Sequence, residues 1–206
     1  MRRLTLTLML LLAACGGDDG RTPVQTTGTI VFIGDSITQQ WPLSKYVVGA
    51  ENVGISGNET SQMLDRFDTD VLSRKPALVV IHDGINDIRN HESTDCSSLV
   101  AMVQRAQAAN VKVVVGTLML AENLGSDAAA KKLLIRTMND EIQVAAESYG
   151  FEVVDYYKAS ESTAGKLVRS RFPDGLHPNR KGYDAMWDLL LPVLRRENLV
   201  REGSAG

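Results

Sequence analysis

Thr29-Ile30-Val31-Phe32-Ile33-Gly34-Asp35-Ser36-Ile37-Thr38 is a β-branched, apolar run that breaks into glycine and two small polar residues. A pattern of this kind reads as a buried strand ending in a tight turn before a helix. Ser36 then stands at the strand's carboxyl end, the edge of an open α/β sheet where ligands bind. Taken alone, the stretch favours a plainer reading, with Asp35 or Ser36 merely capping the next helix. The choice depends on partners supplied elsewhere in the chain.

Moving outward, further short apolar runs at 50–54, 77–81, 111–116 and 151–154 predict strands covered on both faces. Between them lie helical patterns at 59–73, 97–109 and 127–149, the last closed by Gly150. A final helix follows Asn179, carries Tyr183, Met186, Trp187 and Leu190, and is kinked or ended at Pro192. Strand and helix in alternation predict one α/β domain over 29–194, a parallel sheet with helices on both faces. The 195–206 segment reads as a helix end and a loose tail.

The 206 residues, 44% hydrophobic and 23% charged, suit a single soluble globule with a sizeable core. A net charge of -3 gives no basic footprint for nucleic acid. The N-terminus has its own logic. Met1-Arg2-Arg3 is a positive start, 4–12 is an apolar stretch too short to span a bilayer, and Ala13-Ala14 are small residues of the kind a signal peptidase requires. Leu12-Ala13-Ala14-Cys15 resembles the lipobox of bacterial lipoproteins, which implies a signal peptide over 1–14, a lipidated Cys15 and an envelope address. The 15–28 segment then reads as a polar tether between membrane and domain. Only Cys15 and Cys96 occur, so a lipidated Cys15 leaves no disulfide, and Cys96 reads as a small buried or helix-start residue with acidic neighbours.

Three further polar segments fall where strands end or the last helix begins: Asn52-Val53-Gly54-Ile55-Ser56-Gly57-Asn58-Glu59-Thr60, Gly84-Ile85-Asn86-Asp87 and Asp174-Gly175-Leu176-His177-Pro178-Asn179. A serine, a histidine, an aspartate and a set of oriented donors are the parts of an acyl-transfer site. Gly34-Asp35-Ser36, Gly57, Gly84-Ile85-Asn86-Asp87 and Asp174-Gly175-Leu176-His177 together resemble the four blocks of the SGNH, or GDSL-type, hydrolases, in their usual order. The resemblance covers about 30–187. It implies a single-domain, flavodoxin-like α/β sandwich with a five-stranded parallel sheet flanked by helices.

The same resemblance implies a serine ester hydrolase without metal or organic cofactor. Ser36 is the nucleophile, His177 the base that takes its proton, and Asp174 the carboxylate that fixes the imidazole tautomer. Ser36 N–H, Gly57 N–H and the Asn86 amide form the oxyanion hole, with Gly54 the rival to Gly57. The partners implied are a small-molecule or glycan ester and the membrane. Short-acyl esters such as O-acetylated carbohydrates are the preferred substrates. A lysophospholipase or thioesterase, an O-acyltransferase and a non-catalytic binding module are the alternatives. Trp41, the 118–124 stretch and Tyr156-Tyr157 are candidates for pocket wall or core alike. His82, Asp83, Asp87, His91 and Glu92 crowd one segment but lack a recognisable metal-ligand spacing.

Overall fold

The computed structural model describes residues 21–203, so Cys15 and the expected signal peptide lie outside the described residues. In chain order the elements are β1 (Val24–Gly34), α1 (Ser36–Gln39), β2 (Val47–Asn52), α2 (Thr60–Asp70), β3 (Leu78–His82), α3 (Ile85–His91), α4 (Ser97–Ala108) and β4 (Lys112–Gly116). They continue with α5 (Ala128–Tyr149), β5 (Glu152–Val154), α6 (Tyr157–Ser160), α7 (Arg180–Arg196) and β6 (Val200–Arg201). Strands β1 to β5 are all parallel, in the order β2-β1-β3-β4-β5, and the helices flank them. The apolar runs Ile30 to Ile33, Leu78 to Ile81 and Val113 to Val115 are buried throughout, as strands covered on both faces require.

The strand order fixes where a ligand can enter. From β1 the chain makes β2 on one side, then crosses back to make β3 on the other. The carboxyl ends of β1 and β3 therefore diverge into a crevice at the switch point of the sheet. Ser36 follows β1 and Asn86 follows β3, so both stand at that crevice.

Several boundaries differ from the sequence reading, each for a tertiary reason. Strand β1 begins at Val24 rather than Thr29, inside the expected tether. Gln25-Thr26-Thr27 has no apolar run to announce a strand, but Val24 and Gln25 pair with Val47 and Val48. The expected loose tail contributes β6, which pairs antiparallel with β1 through Gln25 to Arg201 and Thr26 to Val200. Pro192 does not end α7, which runs on to Arg196. Burial of Leu190, Val193 and Leu194 along one face outweighs a cost of about 3 kcal/mol for an interior proline. The segment at Gly84 is a helix start, Gly84 itself preceding α3 with a φ of +119° that favours glycine.

An aromatic cluster supports the crevice from behind. Trp41 stacks on Tyr183 at 5.5 Å and meets Phe32, Tyr156 and Tyr46 edge-on, while Tyr46 lies against Trp187. Trp41 is thus core and not an exposed pocket wall. No described helix is long and apolar enough to cross a membrane.

Candidate active site

The turn carrying Ser36 is held from four directions. A Cβ on Gly34 would collide with the His82 carbonyl and the Thr38 side chain, so only glycine lets β1 end this close to β3. Asp35 caps α1 by accepting from Ile37 N–H at 2.8 Å. The Tyr183 hydroxyl donates to the Ile37 carbonyl at 2.8 Å, and the Asn52 amide donates to the Thr38 carbonyl at 2.6 Å. The capping reading of Asp35 is therefore correct, and it coexists with a different role for its neighbour. Ser36 Oγ lies 3.0 Å from His177 Nε2, across 141 residues of sequence.

His177 is set by the loop before α7. Asp174 Oδ1 accepts the backbone N–H groups of Leu176 at 2.9 Å and His177 at 2.7 Å, which folds the loop. Its Oδ2 lies 2.7 Å from His177 Nδ1. Asn179 then caps α7 by accepting from Gly182 N–H at 3.2 Å. With Nδ1–H donating to the carboxylate, Nε2 is left as the acceptor for the serine hydroxyl. Partial burial pushes the Asp174 carboxyl up, but the His177 ring N–H and the Leu176 and His177 amides together hold it below its usual range. The Asp174 side chain is 48% exposed, so this end of the site is open to water.

Asn86 and the Gly57 loop meet the crevice from the other side. The Asn86 amide donates to the Asn58 carbonyl at 2.9 Å and more weakly to Asp35 Oδ2 at 3.3 Å. Ile55 N–H donates to the Gly34 carbonyl at 2.9 Å, fastening the loop beside β1. Gly57 has a φ of +81°, is exposed, and has open space where a side chain would be. Gly54 differs: its N–H donates to Asn52 Oδ1 at 3.0 Å, and a Cβ there would press on the Gln39 backbone. Of the two glycines, Gly57 is the one that leaves room for a ligand.

Arg66 is a member of this assembly that sequence reading missed. It donates to Asn58 Oδ1 at 2.8 Å, the Val53 carbonyl at 2.7 Å and the Gly34 carbonyl at 3.3 Å, and pairs with Asp70 at 2.9 Å. A single arginine on a helix gives no sequence signal for such a role. The five residues weighed as a metal cluster scatter. His82 and Asp83 are buried, Asp87 accepts from the Thr60 N–H and hydroxyl, and His91 lies on Glu59 at 3.0 Å. Among the described residues no group of three or more histidine, cysteine or carboxylate side chains is placed to hold a metal. Cys96 precedes α4, where burial, reinforced by Glu141, Asp95 and Asp87, pushes its thiol up to about 11.

Residues 32–185 match the model of the GDSL-like lipase/acylhydrolase family. Among solved structures, the chain is 31% identical to a protein assigned as an acylhydrolase from Bacteroides fragilis, with a TM-score of 0.75, over 86% of this chain and 91% of that one. A GDSL-like lipase from Bacteroides thetaiotaomicron is 28% identical, with a TM-score of 0.74, over 82% and 88% of the two chains. An acetyl xylan esterase, AlAXEase, shares the fold at 22% identity and a TM-score of 0.67, over 81% and 99%. No curated protein matches the chain.

Proposed function

Since the chain belongs to the GDSL-like lipase/acylhydrolase family, we propose that it hydrolyses carboxylic esters through an acyl group carried on Ser36, with small acyl groups preferred. The observation that carries this reading is the hydrogen-bonded series Ser36, His177, Asp174 at the crevice of the sheet, with spacings of 3.0 and 2.7 Å. A serine hydroxyl is a weak nucleophile at neutral pH and needs a base positioned to take its proton. His177 Nε2 takes that proton as Ser36 Oγ bonds to the ester carbonyl carbon, and the imidazolium so formed is stabilised by Asp174. The carbonyl oxygen becomes an oxyanion that Ser36 N–H, Gly57 N–H and the Asn86 amide receive. Collapse expels the alcohol, which takes the proton from His177. Water then attacks the acyl-serine with His177 again as base, releasing the acid and restoring the serine.

The Asn86 hydrogen directed at Asp35, where nitrogen and oxygen are 3.3 Å apart, is the one available for sharing with an oxyanion, since the 2.9 Å bond to Asn58 fixes the other. Asn86→Ala is expected to lower kcat about 10^2- to 10^3-fold with little change in KM, because the interaction strengthens only as negative charge develops. Steady-state kinetics on a single ester checks this; a loss confined to KM would remove Asn86 from the oxyanion site.

The small-acyl preference rests on the loop after β4. Leu118, Met119, Leu120, Ala121 and Leu124 are all buried, and the loop is tied to the Gly175 carbonyl by the N–H groups of Glu122 and Asn123. Its apolar side chains are spent on the core, which leaves little surface for lining a long acyl channel. Hydrolysis of p-nitrophenyl esters is expected to be fastest for acetate and to fall about tenfold or more by medium chain lengths. Rates that rise with chain length would overturn the small-acyl reading.

A further inference from the structure

Behind Ser36 lies a small cavity of about 10 Å³, room for one water molecule, bordered by Asp35, His82 and Asp83 among apolar side chains. Asp83 is buried; one carboxyl oxygen accepts from Gly84 N–H at 2.7 Å, and the other, Oδ2, has no hydrogen-bond partner in the protein. Asp35 spends Oδ1 on Ile37 N–H and Oδ2 on the Asn86 amide, so it orders both the serine turn and the oxyanion donor. Two carboxyl groups therefore share one enclosed wall. Two charges there would be expensive, and a proton on one of them relieves most of that cost.

We propose that Asp83 is a positioning residue: held as a neutral acid, it and Asp35 keep one proton between them across the cavity, leaving a single negative charge on Asp35. In the resting enzyme that charge holds the Ile37 N–H and, more weakly, the Asn86 amide until an oxyanion takes its place, and it faces the imidazolium formed on His177. A second charge on Asp83 would add to the opposition that Asp35 already offers the oxyanion. The surroundings agree with this division. Burial pushes Asp35 up, but Ile37 N–H, His177 and the nearby backbone amides all favour its charged form. Burial, then Asp35, then Asp87 push Asp83 well above the carboxylate range, opposed by Gly84 N–H and Arg66.

Four further groups face the pair: His82, Tyr183, Asp87 and Arg66. His82 packs edge-on against Tyr156 at 5.3 Å, and burial lowers it to about 4 even though the Thr117 backbone favours its charged form, so it stays neutral. Tyr183, whose hydroxyl is committed to the Ile37 carbonyl, is pushed up by burial and by Asp35. Asp87 is held by Thr60, and Arg66 by the Gly57 loop and Asp70.

The inference rests on Ser36 and Asn86 having the roles proposed above, but its first test needs no substrate. Infrared spectra of the resting enzyme at neutral pH are expected to show the carbonyl band of a protonated carboxyl, absent from Asp83→Asn. No such band, or one unchanged in Asp83→Asn, would overturn the proposal. In turnover, Asp83→Asn keeps a neutral polar group of the same shape and is expected to retain kcat within a few-fold. Asp83→Leu removes the polar group and is expected to lose about tenfold in kcat with KM little changed. Equal losses in the two variants, or full activity in Asp83→Leu, would also overturn it. Failure of the hydrolase reading itself would appear separately, as wild-type protein with the infrared band and no ester turnover.

Discussion

Replacing Ser36 with alanine is expected to lower kcat on p-nitrophenyl acetate by on the order of 10^6-fold, leaving only the slow attack of water on a bound ester. The substitution removes one oxygen from the crevice and little else. The turn itself is held by Gly34, by the Asp35 cap on Ile37 N–H, and by the Tyr183 and Asn52 bonds to backbone carbonyls, none of which uses the serine hydroxyl. Thermal unfolding of the variant is therefore expected to stay close to wild type, which separates loss of chemistry from loss of fold. Residual turnover would report what the oxyanion donors and substrate binding achieve without a nucleophile. Activity within tenfold of wild type would mean that another group attacks the ester, and the proposed mechanism would be wrong.

Asp174→Asn is expected to cost about 10^3- to 10^4-fold in kcat, through the imidazole tautomer and not through the fold. The asparagine carbonyl can still accept the Leu176 and His177 amides that shape the loop. Its NH2 group then meets His177 Nδ1, where a carboxylate oxygen accepted before, at a spacing of 2.7 Å. A donor there moves the ring proton to Nε2, and His177 can no longer accept from Ser36. Asp174 is half exposed, so solvent screens its charge on the imidazolium, but the tautomer requirement is not screened. The measurement is the kcat of the variant with its pH profile; a loss below about tenfold would show that the ring finds its orientation elsewhere. The same carboxylate has a lowered folded-state value, so its contribution to stability is present above the ordinary carboxylate range. That contribution fades as pH falls through the lowered value, and Asp174→Asn lacks the dependence.

These residues were readable because each sits in a short segment whose local chemistry is self-contained. Asp174 and His177 are three apart in one loop, so their pairing follows from a turn. Ser36 and His177 are far apart in sequence, and only the order of four blocks along the chain suggested that they meet. The strands 29–33, 77–81 and 111–116 announced themselves as continuous apolar runs, since burial on both faces leaves no room for alternation. What was not readable depended on distant partners. Gln25 and Thr26 are polar and become strand only because Val47, Val48, Val200 and Arg201 lie beside them. Pro192 signals a break that burial of its neighbours overrides. Asp83 carries no signal in its own segment beyond a crowd of polar residues, and only the fold brings Asp35 of the β1 turn alongside the same small cavity.

The pairing of β6 with the start of β1 gives the molecule a direction. Val24 and Gly34 are the two ends of one interior strand, so the Ser36 crevice and the β1–β6 clasp lie at opposite poles, roughly 30 Å apart. A fusion partner or solid support joined before Arg21 or after Gly203 would attach at the pole away from the reacting serine. The mouth of the crevice would then face away from whatever the protein is joined to, open to substrates arriving from the other side.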